Sequence, residues 1–292
     1  MNKPSNTIRG ILFMLAAMLI FSAQDGISKY LAGNYSTVFI TMLRYWFFGL
    51  VAILILTRVG FRAGLHSAQP KLQMFRGALL SLQIIIAVYA FHAHGLLETH
   101  AIFAFGPMLV VAMSGPVLGE QVGWRRWAAV GVGLCGMLMI LRPGTQVAST
   151  SMAIAIVAMV GFVIYGLATR RVAKTDGAMT SFYYTGLFGA ITMTLIGPFF
   201  WEVMTPGDSG LMLLLCITGM CGHYLLIKAF EAAEAAAIQP FAYLQTVFAS
   251  AIGVFWFGEA LSPWTVAGAS VVIAAGLFAF WREQVAAREA RA

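Results

Sequence analysis

The chain has 292 residues, of which 60% are hydrophobic and 10% charged, with a mean hydropathy of +0.85. A soluble domain carries roughly 25% charged residues because its surface faces water, so a large aqueous surface is excluded, and with it a separate soluble domain. The formal charge of +7 would suggest nucleic acid in a soluble protein. Here the cations sit in loops between apolar segments, which points to a lipid bilayer and not to nucleic acid.

A helix needs about 20 mostly apolar residues to cross the hydrocarbon core, and stretches of that kind recur at about 9–31, 36–57, 72–94, 98–118, 124–141, 150–170, 178–200, 210–230, 236–257 and 262–281. The expectation is therefore an all-α integral membrane protein of ten transmembrane helices. Continuous apolar runs exclude the alternating segments of a membrane β-barrel. The first run, Ile11 to Ala23 behind Lys3 and Arg9, has the outline of a signal peptide. Its Phe21-Ser22-Ala23 sequence puts a bulky residue where a cleavage site needs a small one, so it is read as the first span. Cys135, Cys216 and Cys221 lie within apolar segments, without disulfide or metal-site spacing. No cofactor is expected.

Counting loops from a cytoplasmic N-terminus places fifteen of the 18 cations on one face: Lys3, Arg9, Arg58, Arg62, Lys71, Arg76, Arg125, Arg126, Arg170, Arg171, Lys174, Lys228, Arg282, Arg288 and Arg291. The opposite face receives Arg142 with Glu98, Glu202, Asp208 and Glu259, while Lys29 and Arg44 fall within spans. Positive charge favours the cytoplasmic side, so both termini are expected there, in the inner membrane.

The chain also repeats. Ala90-Phe91 and Gly119-Glu120 return as Ala229-Phe230 and Gly258-Glu259, an offset of 139; Trp124, Gly136 and Arg142 return as Trp264, Gly276 and Arg282. Phe21 and Lys29 align with Phe162 and Arg170. Residues 1–145 and 146–292 thus form two five-helix repeats within one compact transport domain. An odd number of spans per repeat inverts the second half, a recurrent device of secondary transporters whose solute site lies at the midplane.

Two five-span halves, with Pro107 to Glu120 before Trp124 and Pro240 to Glu259 before Trp264, resemble the EamA family of the drug/metabolite transporter superfamily. Phe21 to Lys29 is similar to that family's opening segment, and the resemblance covers almost the whole chain. It implies export of small metabolites, often amino acids, by alternating access through a central cavity. Within the family, the chain is most similar to YddG-type aromatic amino acid exporters. Closely similar architectures carry nucleotide sugars, sugar phosphates or cationic drugs, so fold alone does not name the solute. With both halves in one chain, a monomer is expected.

Polar groups at mid-bilayer depth are costly unless used or paired. Gln24, Gln83, Tyr165, His223, Tyr243 and Gln245 meet that criterion and are candidates to bind solute, with Phe105, Phe241 and Trp256 as an apolar wall. Each polar group could instead bond to a neighbouring helix. Asp25, Lys29 and Arg44 are the in-membrane charges and the gating or coupling candidates. Asp25 and Lys29 are spaced to pair along one helix, which makes a structural ion pair the plainer reading. Glu120 and Glu259 are read as helix-terminal carboxylates. Pro107, Pro116 and Pro240 interrupt helices.

Other motifs carry less. Gly131 to Gly136 satisfies GxGxxG but lies inside a span, where close helix packing explains it. His92, His94 and His100 do not share a helix face, which argues against a metal site, and the sequon at Asn34 matters only in a secretory pathway. Without a Walker sequence, HExxH or a second in-span Asp, neither an ATPase nor an intramembrane enzyme is indicated.

Overall fold

The computed structural model describes residues 6–119, 124–141, 150–260 and 262–289. Glu120, Arg142, Lys3 and Arg291 lie outside the described residues, as do the side chains of Arg125, Arg126, Arg282 and Arg288. Every described element is a helix, as a bilayer demands of backbone whose polar groups find no water. In chain order they are α1 (Thr7–Ala32), α2 (Thr37–Val59), α3 (Phe61–Gly64), α4 (Pro70–His94), α5 (Leu96–Phe103), α6 (Gly106–Leu118), α7 (Trp124–Leu141), α8 (Thr150–Ala173), α9 (Ala178–Ile196), α10 (Pro206–Ala232), α11 (Ala235–Ile238), α12 (Tyr243–Phe257) and α13 (Pro263–Glu289).

Local chemistry sets the ends. Asn6 caps α1 by accepting from the Arg9 amide at 3.2 Å, and Ser36 caps α2 by accepting from Val38 at 3.3 Å. Pro70 and Pro206 open α4 and α10, where a missing N–H costs nothing. The stretches expected as spans four and nine are each broken. Pro107 starts α6 after a two-residue interruption, and Pro240 lies in a 3-10 turn, Gln239–Ala242, between α11 and α12. Pro116 sits within α6 without ending it. Gly119 and Gly258 close α6 and α12 in the left-handed region, at φ of 72° and 65°, which accounts for the glycine of the repeated Gly-Glu pair.

Among the described residues, seven segments are long and apolar enough to cross a membrane: α1, α2, α4, α5 with α6, Met152–Ala173 of α8, α10, and α11 with α12. Shorter apolar helices cover Trp127–Leu141 and Pro263–Phe278. In α9, Ser181, Tyr183, Tyr184 and Thr185 are buried in the bundle and dilute its apolar character.

The two halves of the chain interleave. α1 lies along α10 and α8 along α4, while α2 pairs with α9 and α7 with α13. Every pair runs antiparallel. Along α1 and α10, Asn6 meets Ala232, Phe21 meets His223 and Tyr35 meets Asp208. Along α4 and α8, Arg76 meets Thr169 while Gln83 faces Gly161. Small residues bring the α7–α13 pair close: a Cβ on Gly136 would fall 2.7 Å from the Gly268 carbonyl. That contact explains one glycine of the GxGxxG sequence.

Outside, Phe199, Phe255 and Trp256 are 86%, 90% and 81% exposed, an apolar face suited to lipid. Most described cations gather at one end. Arg9, Arg170, Arg171, Lys174 and Lys228 sit at the end where α1 begins and α10 finishes, and Glu202, Asp208 and Glu259 at the other. Arg171 and Lys174 donate to the Val117 and Leu118 carbonyls, satisfying the C-terminus of α6.

Candidate functional site

Between α1, α4, α8, α10 and the two broken segments lies a cavity with about 980 Å³ of atom-free space, part of it open to the outside. Its walls are mostly apolar, supplied by residues such as Met14, Met18, Phe21, Phe91, Phe162 and Phe230. The polar groups facing it are few: Gln24, Asp25, Arg44, Gln83, His100, His223, Gln239, Gln245 and Thr246.

They form two sets. In the first, Asp25 on α1 is held by the other broken segments rather than by its own helix. Its Oδ2 accepts from Gln245 Nε2 at 2.8 Å and lies 3.1 Å from His100 Nε2. Nearby, Arg44 Nη2 on α2 donates to Gln24 Oε1 at 3.1 Å. The second set is deeper, where Gln83 and His223 face the same space. Gln83 Oε1 and both ring nitrogens of His223 are buried without a hydrogen-bond partner among the described residues. His223 is wedged between Phe21, at 4.9 Å between centroids, and the edge of Tyr165, at 6.2 Å.

The charged residues are placed differently from the sequence expectation. Asp25 and Lys29 do not pair along α1. Lys29 forms an ion pair with Glu259 from the other half of the chain and lies 4.4 Å over the Phe257 ring. Glu259 also accepts from the amides of Leu96 and Leu97, both at 2.8 Å. It is thus a helix-terminal carboxylate, serving α5 across the molecule rather than its own neighbour α13. The turn after Gly258 folds it back, and Gly95 makes the approach possible: its φ is +90°, and a Cβ there would fall 2.8 Å from the Glu259 carboxylate.

Of the other candidates, Tyr165 is fully buried behind His223 rather than on the cavity wall. Phe105 packs under α7 beside Gly133, and Tyr243 packs against Gly276 of α13. Phe241 is half-buried in the core beside the lining residue Ala242. Trp256 is exposed and absent from the cavity wall: it stands near the end of α12, about 16 Å along the helix axis from Gln245 and beyond the cavity.

Two residues that the sequence reading did not single out carry much of the polar structure. Of His92, His94 and His100, it is His100 that reaches Asp25. Arg76, counted as a loop cation, is fully buried on the second turn of α4. Its guanidinium donates to Gln73, Tyr165, Thr169, Thr185 and the Ser181 carbonyl, at 2.5–3.3 Å. Its place as the fifth residue of the expected span 72–94 is the available signal. Gln73 continues the chain of bonds to Asp176, in the turn after α8. Burial disfavours the Asp176 charge, but hydrogen bonds from Ser67, Gln73, the Ala68 amide and Thr175 outweigh that and hold its carboxyl below the usual range.

Comparison with known proteins agrees with this architecture. The family description EamA-like transporter matches twice, over residues 8–142 and 149–281. An S-adenosylmethionine uptake transporter of Rickettsia prowazekii is 23% identical over 95% of this chain and 94% of its own. A riboflavin transporter of Rhizobium johnstonii is 25% identical over 94% and 92%. The pseudopaline exporter CntI of Pseudomonas aeruginosa is 21% identical over 91% and 94%. These stand in place of the YddG-type exporters that the sequence suggested. A solved crystal structure superposes with a TM-score of 0.67 at 18% identity, over 92% of this chain and 96% of the other, a likeness of fold alone. With both halves matched, the chain belongs to the EamA-like transporter family and is a multi-pass membrane protein that serves the transport of small molecules.

Proposed function

We propose that this protein carries a small zwitterionic metabolite of the amino acid class across the cytoplasmic membrane, by alternating access to the central cavity. One observation carries the reading: among the described residues, one carboxylate, Asp25, and one guanidinium, Arg44, face a cavity whose walls are mostly apolar. A buried charge is tolerated when it is paired, and an ammonium and a carboxylate on one solute would complement both groups. Apolar walls of this extent suit an aromatic or flat substituent on the same solute. S-Adenosylmethionine, named for one group of relatives, combines an amino acid head with a flat ring system.

Polyanions fit less well. A phosphate ester would want several cations in the cavity, whereas Lys29 is engaged by Glu259 and Arg76 lies behind Tyr165. Ten spans in two inverted repeats, with both termini cytoplasmic, complete the proposal. Supporting it are the antiparallel α2–α9 and α7–α13 pairs, which a two-fold axis in the membrane plane requires, and the cations gathered at one end. Relatives named for uptake and for export share this architecture, so direction follows the gradients in the cell.

Uptake of labelled solutes into proteoliposomes tests the solute class, with a panel of tryptophan, S-adenosylmethionine, riboflavin, glucose 6-phosphate and a lipophilic cation. Saturable movement of the zwitterions, mutually competed, is the expected result. Movement of the phosphate ester or the cation alone would overturn it.

A further inference from the structure

We infer that His223 and Gln83 form a second recognition point, which reads the hydrogen-bonding edge of a heteroaromatic ring on the solute whose charged head is held at Asp25 and Arg44. This deepens the zwitterion reading and rests on it. The two residues come from different halves of the chain, α10 and α4, and meet at the same cavity wall. His223 is 4% and Gln83 2% exposed, yet both histidine nitrogens and the glutamine Oε1 lack a partner among the described residues. Leaving three such atoms buried and unpaired is costly, and packing does not require polarity there: the lining residues Leu226, three positions after His223, and Ile84, next to Gln83, are apolar.

A neutral imidazole offers one donor and one acceptor, and the amide oxygen a further acceptor. That set complements a ring edge presenting N–H groups beside a ring nitrogen or carbonyl, as in a purine, and an indole meets part of it with its one N–H donor. A phenyl ring presents nothing to it. Phe21, packed against His223, supplies an aromatic neighbour for such a ring. Distance suits the division of labour. Gly219, beside the Arg44 guanidinium, and His223 lie four residues apart on α10, about 6 Å along a helix, close to the reach from an amino acid head to its ring.

The test is binding to the purified full-length protein by isothermal titration, using two matched pairs: tryptophan against phenylalanine, and S-adenosylmethionine against S-methylmethionine. His223→Leu and Gln83→Leu are each expected to reduce the preference for the heteroaromatic member about tenfold, the loss of one to two buried hydrogen bonds. His223→Gln, which keeps a donor and an acceptor, retains most of the preference. The ligand-free thermal midpoint of His223→Leu stays equal or rises, since no internal bond is lost. Unchanged preferences alongside intact zwitterion binding would overturn the ring-edge site and leave the proposed function standing, and so would a lower ligand-free midpoint. Binding of riboflavin and adenosine alone, weakened by both leucine variants, would keep the ring-edge site and overturn the zwitterion reading. Binding of none of these probes would overturn both.

Discussion

A guanidinium buried in a bundle is stable only where acceptors surround it, and Arg76 shows what that takes. Five acceptors from α4, α8 and α9 converge on one side chain. Arg76→Ala is expected to lower stability by on the order of 3 kcal/mol, since each charge-assisted bond contributes about 1.5–3 and the set is not additive. Arg76→Lys recovers part of that loss because the charge is kept and the planar fork is not. Thermal unfolding in detergent measures both, and an unchanged midpoint for the alanine variant would contradict the account.

Asp176 ends the same network and makes it pH-sensitive. Its carboxyl is held below the usual range in the folded protein. The stability it adds is therefore present above the unfolded value of about 4 and is lost as pH falls through the lower folded value. The wild type should lose stability below about pH 4 more steeply than Asp176→Asn. Parallel acid branches would remove Asp176 as the cause.

Much of this residue-scale detail was hidden in the sequence. Gln83, His223 and Gln245 stand out as polar groups in apolar stretches, and all three face the cavity. Neither the rotation of a helix nor the depth of a residue along it is written in the sequence, so Phe105 and Trp256 looked equally eligible, yet Phe105 packs under α7 and Trp256 is exposed near the end of α12.

Among the elements, the broken segments matter most, because they place both Asp25 partners. His100 comes from α5 and Gln245 from α12, each beside an interruption. Pro107 and Pro240 made the interruptions legible; the fold-back of Glu259 onto α5 was not, since nothing local links residues 96 and 259. That carboxylate ties α1, α5 and the end of α12 together. A double-mutant cycle of Glu259→Gln with Lys29→Met should give a coupling of about 1 kcal/mol or more, in the range for contacting residues. Additive effects would mean that the pair does not hold these helices together.

At the scale of the whole molecule, the repeat was legible because Gly-Glu and Trp recur at nearly constant offset. The interleaving was not. Sequence neighbours suggest that each half packs on itself, whereas α1 lies on α10 and α8 on α4. The cavity therefore belongs to neither half alone, and each set of polar groups draws on both. Rocking of one half against the other would change access to the cavity while keeping its lining, which is the physical content of alternating access.

The most direct test of this reading is solute protection of a thiol in the cavity wall. Ala87, a buried lining residue on α4, is replaced by cysteine in a background with Cys135, Cys216 and Cys221 changed to serine. A transported zwitterion such as tryptophan, at concentrations that saturate uptake, should slow labelling of Ala87→Cys by a small membrane-permeant maleimide at least fivefold, with half-protection near the half-saturating concentration for transport. Labelling that is indifferent to a saturating solute would place the transport path outside this cavity and contradict the central claim.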